Sequence, residues 1–514
     1  MKVASRIFMA ILLVASIVNP SSKVFADNVD GKKARQVGAY FMASQFGNKA
    51  ITPSSMELVY EISNVEKDIA TLYVFNTADK RGFVIVSGSD CVDPIIAYST
   101  DGVFDPNNIP PAMQWWLGVQ SNIIAYSQNN TLKADEATLE SWNVLENQTL
   151  PYFGQDSKEI IRLLKTKWNQ SYPYNIFCPP ASNPDPDNGN RAYVGCVATA
   201  MSQIIRYWEY PRVGSGRKTY HASSDGVDTT LTVNFGAAYY KYEDMPIEIS
   251  VDSSEAQINA VALLGYHCGV SVEMGYDGDG SGTASEYVPR ALGDYFKYVL
   301  DSMAFISRDM VAYSNPSAAN GTPNRRDTAW VNKIANDIIL GRPVYYAGHS
   351  KNGGRDAGHA FVCDGWNTTT KTLHFNWGWG GSGDCWCNVY TVQIKPTRSP
   401  EAGVTYHFVE RNRAVVGITP PQDSINNHNV AIDGVENPFI GGIYPNPAST
   451  QVTVSYMLND NSAAMMQIFD AAGRVVSEVK LSPVSTQVTI PVNNLRPGIY
   501  FCRLNGHTQK FVVR

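Results

Sequence analysis

The stretch VGCVATAMSQIIRYW, residues 194 to 208, places a single cysteine, Cys196, at the start of a predicted helix. The helix is predicted because apolar residues recur there at a period of 3.6. Gly195 ends the preceding segment and leaves room beside the sulfur, and the positive end of the helix dipole favours thiolate over thiol. Two interpretations remain open at this point. Cys196 either packs in a core, as most free cysteines do, or acts as a nucleophile.

Length and composition indicate several globular domains. A chain of 514 residues exceeds one ordinary domain, so about two to four are expected. With 44% hydrophobic and 17% charged residues the chain is neither disordered nor fibrous. A net charge of −6 gives no reason to expect a nucleic-acid partner. Cys385 and Cys387 lack a second Cys or His pair at zinc-site spacing, so they are predicted to be structural.

The first 26 residues have the pattern of a secretory signal peptide. Lys2 and Arg6 form a basic start, residues 7–18 are an apolar run, and residues 24–26 offer a cleavage site. The apolar run is shorter than the about 20 residues that span a bilayer, and no later segment is long and apolar enough to do so. We therefore expect an exported protein without a transmembrane segment, released or held at a surface by other means.

The remaining chain divides into four parts that differ in composition and residue pattern. Residues 27–149 combine predicted strands such as GFVIVSG with an amphipathic helix at PAMQWWLGVQSNIIAYSQNN. Residues 150–420 hold Cys196, most tryptophans and several glycine-rich loops, and residues 421–438 form a predicted linker. Residues 439–514 contain short alternating segments separated by turns, which predict a small β-sandwich.

A nucleophilic thiol needs a base, and His359 has the most suggestive surroundings among the histidines. It lies in GGRDAGHAFVCDGW, where glycines are followed by a predicted buried strand, so its imidazole would stand at a strand start and face a cleft. His267 and His374 lie inside apolar runs and are predicted to be core residues. A lone histidine is more often structural than catalytic, so this segment alone leaves both interpretations open.

Two further segments supply groups that such a pair would use. In FNWGWGGSGDCW, Asn376 would bond the far ring nitrogen of the imidazole and Trp377 would cover that bond, although a Trp/Gly-rich turn can also simply fill a core. In KTKWNQSYPYN, the Gln170 amide would donate to the oxyanion formed by thiolate attack on a carbonyl. The backbone N–H of Cys196 would be the second donor.

The order Gln, Cys, His, Asn/Trp resembles the papain-like thiol proteases, and the chain resembles the streptopain and interpain-type family among them most closely. The motifs are GCVATAMSQIIRYW, PVYYAG, GHAFVCDGW, NWGWGG and NRAVVGITP, with a weaker likeness in GFVIVSGSD and IIAYSTDG. The resemblance implies an α+β fold. It has a papain-like two-lobed catalytic domain at 150–420, an α+β propeptide at 27–149 before it and a small all-β sandwich after it.

The resemblance also implies a role for each matching residue. Those residues are Cys196 as nucleophile, His359 as general base and acid, Asn376 and Trp377 as supports of the histidine, Gln170 in the oxyanion hole, and Gly358 and Thr283 as substrate contacts. Thr283 is the nearest match to a serine in the SGSAG loop of the family, because this chain reads GSGTAS. The loop GHSKNGGRDAGHAF is longer than that of the family. The sequence DGDGSG at 277–282 is not an EF-hand, because Val288 stands where that motif requires Glu.

The last part of the chain resembles the sorting domain of the type IX secretion system. IYPNPAS, IFDAAGRVV, LRPGIYFCRL and KFVVR carry this likeness. It implies passage through the periplasm of a Gram-negative bacterium, followed by release or attachment to the outer surface. The secretion machinery would then be a partner of residues 439–514.

Together these features predict a secreted cysteine endopeptidase made as a zymogen. It would cut peptide bonds of host or environmental proteins through an acyl-enzyme thioester, with its own propeptide as inhibitor and with no metal or organic cofactor. One alternative keeps the papain fold but makes the enzyme an acyltransferase or amidase. The other is a non-catalytic surface adhesin or haemagglutinin, although a scaffold would have no need of Cys196, His359 and Asn376 together.

Overall fold

The structure, a computed structural model, describes most of the chain after the first 26 residues. The described residues are 27–47, 50–129, 134, 136–148, 160–181, 183–224, 227–308, 328–352, 355–389, 412–425, 439–444, 446–457, 464–471, 473–481, 487–504 and 507–514. The predicted signal peptide lies outside them. Within these ranges, no helix combines the length and the apolar character needed to cross a membrane.

The N-terminal block is an antiparallel sheet with helices packed on it. Helix α1 covers Gly31–Phe46, α2 Pro111–Asn129 and α3 Glu136–Glu146. Strands β1 to β4 are Met56–Asn64, Ile69–Thr77, Phe83–Ser87 and Ile95–Ser99. The apolar strand β3 is buried throughout, as a central strand covered on both faces should be. The predicted strand at GFVIVSG and the predicted helix α2 are confirmed.

The central block adds more helices and the rest of the main sheet. Its helices are α4 Cys196–Trp208, α5 Glu255–Ser271, α6 Val288–Phe296 and α7 Thr328–Ile339. Its strands are β5 Ile160–Arg162, β6 Arg217–Ser224, β7 Val227–Asn234, β8 Ala304–Ser307, β9 Val344–Asn352, β10 Arg355–Asn367, β11 Thr372–Asn376, β12 Cys385–Cys387 and β13 Arg413–Val416. Strands β6 and β7 form a separate hairpin. The helix predicted at residues 194 to 208 is confirmed, with Cys196 as its first residue.

One eleven-stranded sheet runs through both blocks, in the order β1-β2-β3-β4-β12-β11-β10-β9-β13-β8, with β5 paired to β10. The junction is the antiparallel pair β4 and β12, where Tyr98 faces Trp386 and Ala97 faces Cys387. The largest apolar core likewise contains side chains from both blocks. The two blocks therefore share one sheet and one apolar core.

The last part of the chain folds around a core of its own. Helix α8, Gln422–Ile425, begins the predicted linker, whose remainder lies outside the described residues. Strands β14 to β20 are Phe439–Tyr444, Gln451–Met457, Ala464–Asp470, Val475–Leu481, Gln487–Pro491, Gly498–Leu504 and His507–Val513. They form sheets β14-β15-β18 and β17-β16-β19-β20. Both sheets contribute side chains to one apolar core made of tail residues alone.

Candidate active site

A cleft of about 290 Å3 opens where the start of α4 faces strand β10 and the turn after β11. Cys196, His359 and Gln170 all contribute to its wall, and so do Gly358 and Trp377. These five residues come from four separate segments of the sequence. The fold therefore brings a thiol, an imidazole and a side-chain amide to one solvent-facing cavity.

Gly195 fixes the position of Cys196 at the first turn of α4. Its φ of 89° lies in the left-handed region that favours glycine. A Cβ atom at this position would lie 2.8 Å from the side chain of Met274 and 3.0 Å from the carbonyl oxygen of Ser281. Both the backbone conformation and the neighbours thus require glycine before the cysteine. The inner face of α4 is buried, which anchors the helix that presents the thiol.

Burial opposes ionisation of the Cys196 thiol. Its side chain is partly exposed, yet burial raises the pKa of Cys196 above its ordinary value. Hydrogen bonds from backbone N–H groups, that of Ala360 first and that of Val197 second, act in the opposite direction but are outweighed. Loss of water around the sulfur thus acts against the effect expected from the helix start.

The sequence predicted that His359 would stand at the start of a strand. It lies instead inside strand β10, Arg355–Asn367. The segment before it is not an open loop, because β9 and β10 pair from Asn352 and Arg355 onward. The backbone of His359 faces that of Gly348 across this hairpin. His359 is partly exposed and borders the cleft next to Gly358, and its backbone position is set by the pairing with β9.

The other two histidines singled out in the sequence are confirmed as core residues. His267 is buried, its Nδ1 lies 2.9 Å from the Tyr240 hydroxyl, and burial lowers its pKa to about 4. His374 is buried as well, with its Nδ1 2.6 Å from an oxygen of Asp364. Neither contributes to the cleft.

Asn376, at the end of β11, is almost completely buried in a hydrogen-bond network. Its Nδ2 donates to the carbonyl oxygen of Thr166 at 2.7 Å. Its Oδ1 accepts from Nε2 of Gln203 at 2.9 Å and from the N–H of Gly378 at 3.0 Å. Gln203 was not among the residues predicted from the sequence. The available signal was its place two helical turns after Cys196, on the same face of α4.

Trp377 is buried against the sheet beside the cleft. Its Nε1 donates to the carbonyl of Gly383 at 2.8 Å, and its ring centroid lies 4.7 Å from that of Phe361. The ring of Trp116, from helix α2, approaches it at 6.4 Å. The indole thus both fills the core and borders the cavity, so the two interpretations of this turn are compatible.

The backbone of Gln170 is tied to the segment that leads into the cysteine. Its carbonyl accepts from the N–H of Val194 at 3.0 Å. Its side-chain Nε2 lies 3.5 Å from the carbonyl oxygen of Gly378. Gln170 and Cys196, the first residue of α4, thus both line the cavity.

Thr283 is not among the described residues that line the cleft. Its hydroxyl donates to the carbonyl of Val272 at 2.7 Å. The residues before it, from Asp279 to Gly282, border the cavity instead. The loop identified from the family resemblance therefore lies at the cleft. The residues of the loop that line the cleft are 279–282, just before Thr283.

A buried carboxyl group, Asp384, supports the turn that carries Trp377. Its Oδ1 accepts from the N–H of Trp377 at 2.9 Å, whereas its Oδ2 is buried without a hydrogen-bond partner. Burial raises the pKa of Asp384 to about 7. Among the residues described, no group of three or more His, Cys, Asp or Glu side chains is arranged to hold a metal ion.

Replacing Asp384 with asparagine should stabilise the protein at alkaline pH. The folded carboxyl keeps its proton to about pH 7, while the unfolded chain loses it near 3.8. The stability that Asp384 contributes is therefore complete below about pH 4 and is lost as the pH rises through 7. The free energy of unfolding of Asp384→Asn should exceed that of the unsubstituted protein by about 2–4 kcal/mol at pH 8. Near pH 4 the two free energies should be equal.

Urea unfolding at the two pH values, in a Cys196→Ala background that prevents self-digestion, measures this difference. Asp105→Asn is the matched control, because Asp105 is exposed and its side chain also accepts from a backbone N–H, that of Asn107. An equal gain at both pH values would show that ionisation of Asp384 is not the cause.

Helix α2 of the N-terminal block reaches the cleft. Pro111 and Ala112, at its start, line the cavity. Just before them, Asn108 accepts from Nε1 of Trp379 at 3.3 Å and from the Ser382 hydroxyl at 2.9 Å. The N-terminal block therefore covers the turn after β11 and narrows the access to Cys196.

Sequence models of three families match: the Spi protease inhibitor at 26–122, the peptidase C10 family at 168–387, and the secretion system C-terminal sorting domain at 442–514. The thiol protease/hemagglutinin PrtT of Porphyromonas gingivalis is 28% identical over 477 residues, which are 91% of this chain and 49% of PrtT. The chain thus spans about half the length of that relative.

Streptopain of Streptococcus pyogenes serotype M1 is 31% identical over 421 residues, and the match covers 79% of this chain and 95% of streptopain. The chain belongs to the peptidase C10 family. A solved fragment of Prevotella intermedia prointerpain A, 26% identical to this C10 chain, superposes with a TM-score of 0.51. That likeness covers 71% of this chain and 99% of the fragment. The mixed α/β fold, with a propeptide-like block ahead of a C10 peptidase block, agrees with it.

Proposed function

We propose that this C10 chain is the zymogen of a secreted cysteine endopeptidase. The observation that carries the proposal is the meeting of Cys196 and His359 at one cleft, in a chain whose relatives include streptopain and a thiol protease. The Spi-type block supports the zymogen part, since its helix α2 borders the same cavity.

In the proposed reaction, His359 takes the proton of Cys196 and the resulting thiolate attacks a peptide carbonyl carbon. The imidazolium then gives its proton to the departing amine, and a thioester remains on Cys196. Water attacks the thioester with His359 as base, which releases the acid and restores the thiol. Asn376 would hold the imidazole by its far nitrogen, and Trp377 would keep water from that bond.

The tetrahedral intermediates carry a negative oxygen that needs donors. Nε2 of Gln170 and the N–H of Cys196 would take this role, because Gln170 and Cys196 both line the cavity. A donor of this kind contributes about 2.7–4 kcal/mol to the transition state. Gly358, exposed beside His359, offers its backbone to an extended substrate, and the loop ending at Thr283 would contact the substrate from the opposite wall.

We further propose a papain-like two-lobed arrangement for residues 150–420, with the propeptide at 27–149, a linker at 421–438 and a sorting β-sandwich at 439–514. The sorting family at the C-terminus indicates secretion in Gram-negative bacteria. The type IX machinery would recognise this tail, and the enzyme would then be released or remain at the outer surface.

The purified chain incubated with casein, with and without a thiol-directed epoxide, tests the activity. We expect casein fragments and a new N-terminus between residues 129 and 168 of the chain, both suppressed by the epoxide. Transfer of an acyl group to an added amine without casein cleavage would favour the acyltransferase or amidase. Erythrocyte agglutination without any hydrolysis would favour the adhesin.

We expect that the close contact between Trp115 and Gly348 helps to hold helix α2 of the propeptide block against the peptidase block. The Trp115 ring occupies the space that a Cβ atom at Gly348 would need. Gly348 is the residue of β9 that pairs with His359. Gly348→Ala should therefore repel helix α2 and leave the peptidase block intact. Overpacking of this kind costs about 1–3 kcal/mol, so alkylation of Cys196 by iodoacetamide in the uncut zymogen should be about tenfold faster.

Peptide mass mapping of the alkylated cysteine gives the rate. Gly118→Ala is the matched control, because open space surrounds that glycine of α2. In a Trp115→Ala background, Gly348→Ala should no longer raise the rate of Cys196 alkylation, because the clashing ring is absent. Equal alkylation rates in Gly348→Ala and Gly118→Ala would refute a role for this contact.

A further inference from the structure

A short loop at the cleft is tied to the segment that leads into helix α4. The N–H of Tyr193 donates to the carbonyl oxygen of Asp277 at 3.2 Å. The carbonyl oxygen of Tyr193 in turn accepts from the Ser281 hydroxyl at 2.6 Å. Two backbone hydrogen bonds, of 2.9 and 3.1 Å, join the ends of the loop, residues 275–282. Tyr193 and this loop therefore belong to the same wall of the cleft, which both of them line.

Within the loop, Asp279 lines the cleft and is exposed. Its N–H donates to Oδ1 of Asp277 at 3.0 Å, so the carboxylate of Asp277 is used inside the loop. The carboxylate of Asp279 has no ion-pair or hydrogen-bond partner among the described residues. A Cβ atom at the next residue, Gly280, would meet no other atom within 4 Å. A bound side chain thus has room beside Asp279.

Asp279 also determines the charge of the cleft. Of the described residues that line the cavity, it is the one carboxylate, and no lysine or arginine is among them. In the proposed reaction, proton transfer from Cys196 to His359 leaves that pair neutral overall, so the pair does not cancel the charge of Asp279. A round cavity of about 290 Å3 is only about as wide as the Debye length at physiological salt, about 8 Å. A cation bound in the cleft is therefore attracted by Asp279 with incomplete screening.

Tyr193 adds an aromatic ring to the same wall. It is partly exposed and lines the cleft, and its backbone bonds to loop residues on both sides of Asp279. An arginine side chain can lay its apolar stem and planar guanidinium along such a ring while its charged head reaches a carboxylate. The ring and the carboxylate together suit a basic side chain better than an acidic or a purely apolar one.

We propose that Tyr193 and Asp279 form a specificity site for a basic residue on the acyl side of the cleaved bond. This inference rests on the proposed function. In that reaction His359 protonates the departing amine, so the amine side of the substrate faces strand β10. The acyl side then extends toward the wall formed by Tyr193 and Asp279. The substrates are accordingly proteins with arginine or lysine at the first or second residue before the cut.

The test uses internally quenched peptides that carry either arginine or citrulline at the first or the second position before the cleaved bond. Citrulline keeps the shape of arginine and lacks its charge. The full chain is matured by immobilised wild-type enzyme, which is then removed, and mass spectrometry identifies the bond that is cut. We expect kcat/KM to be about fivefold higher for arginine than for citrulline at one of the two positions. This ratio should fall toward one in about 0.5 M NaCl.

Asp279→Asn should bring the arginine-to-citrulline ratio close to one, and Asp279→Lys should favour glutamate over glutamine at the same position. Asp252→Asn is the matched control. Asp252 is also exposed, its N–H also donates to a side-chain oxygen two residues earlier, that of Ser250, and it does not line the cleft. Its ratio should equal that of the unsubstituted enzyme. Because each ratio compares two substrates of one enzyme, a smaller folded fraction does not change it.

A ratio near one at both positions in the unsubstituted enzyme overturns the proposal, even if casein is cut. A ratio that Asp279→Asn retains, or that Asp252→Asn loses equally, overturns it as well. If Asp279→Asn does not fold, the charge reversal in Asp279→Lys decides, and failure to favour glutamate has the same meaning. A protein that hydrolyses neither casein nor any of the peptides would instead overturn the proposed function, and the specificity site with it.

Discussion

Cys196→Ala is expected to abolish peptide hydrolysis and to leave the propeptide attached. The thiol is the proposed nucleophile, and alanine provides neither a nucleophile nor a bond to the acyl group. Removal of the nucleophile from a comparable triad costs about 10^6 in kcat, so the residual rate should be indistinguishable from that of buffer. Gel mobility of the purified chain and release of casein peptides measure both effects.

Cys502→Ala is the control for this variant, because Cys502 is a buried cysteine in the C-terminal block, far in sequence from the cleft. It should mature and cleave as the unsubstituted protein does. Adding active enzyme to the Cys196→Ala chain should remove its propeptide without restoring activity. A Cys196→Ala protein that matures unaided would contradict self-processing, and one that still cuts casein would exclude Cys196 as the nucleophile.

Deletion of residues 439–514 should retain the protein in the periplasm of a host that has a type IX secretion system. The tail matches the sorting family over residues 442–514, and its apolar core consists of tail residues alone. The peptidase core therefore stays complete when the tail is removed. We expect the truncated chain to be folded and able to cleave peptides after cell lysis, while almost none reaches the medium or the outer surface.

A substitution within the tail tests whether export requires the tail to be folded or only to be present. Phe511 is buried in the tail core with its ring stacked near that of Tyr500, so Phe511→Asp buries a charge and should unfold the tail and block export. Lys510→Gln changes the exposed neighbour on the same strand and should leave export unchanged. Normal export of the truncated chain would refute the sorting role.

The parts of the site that depend on local patterns were predictable from the sequence. The helix beginning at Cys196 follows from apolar residues at helical spacing after a glycine. The strand through His359 follows from HAFVCDGW, although its true start depends on pairing with β9, which no local pattern specifies. The tail strands likewise lie where alternation and turn residues predicted them.

The contacts that require distant segments to meet were not predictable. Gln203 reads as one polar residue within an apolar helix, and only the fold reveals Thr166 and Asn376 beside it. The raised pKa of Cys196 has the same origin, since the helix start is visible in the sequence and the burial is not. Thr283 illustrates the limit of a motif, because its hydroxyl turns to Val272 while its neighbours line the cleft.

Scission of the chain alone would not separate the propeptide from the peptidase. Backbone bonds between β4 and β12, together with the N–H of Asn388 on the carbonyl of Ile96, would still join the two pieces. Trp386 of β12 also packs in a core formed mainly by the propeptide. In the proposed maturation, β4 would therefore have to separate from β12, which would expose the edge of β12 and the indole of Trp386. Digestion of the nicked piece, rather than simple dissociation, would then make activation irreversible.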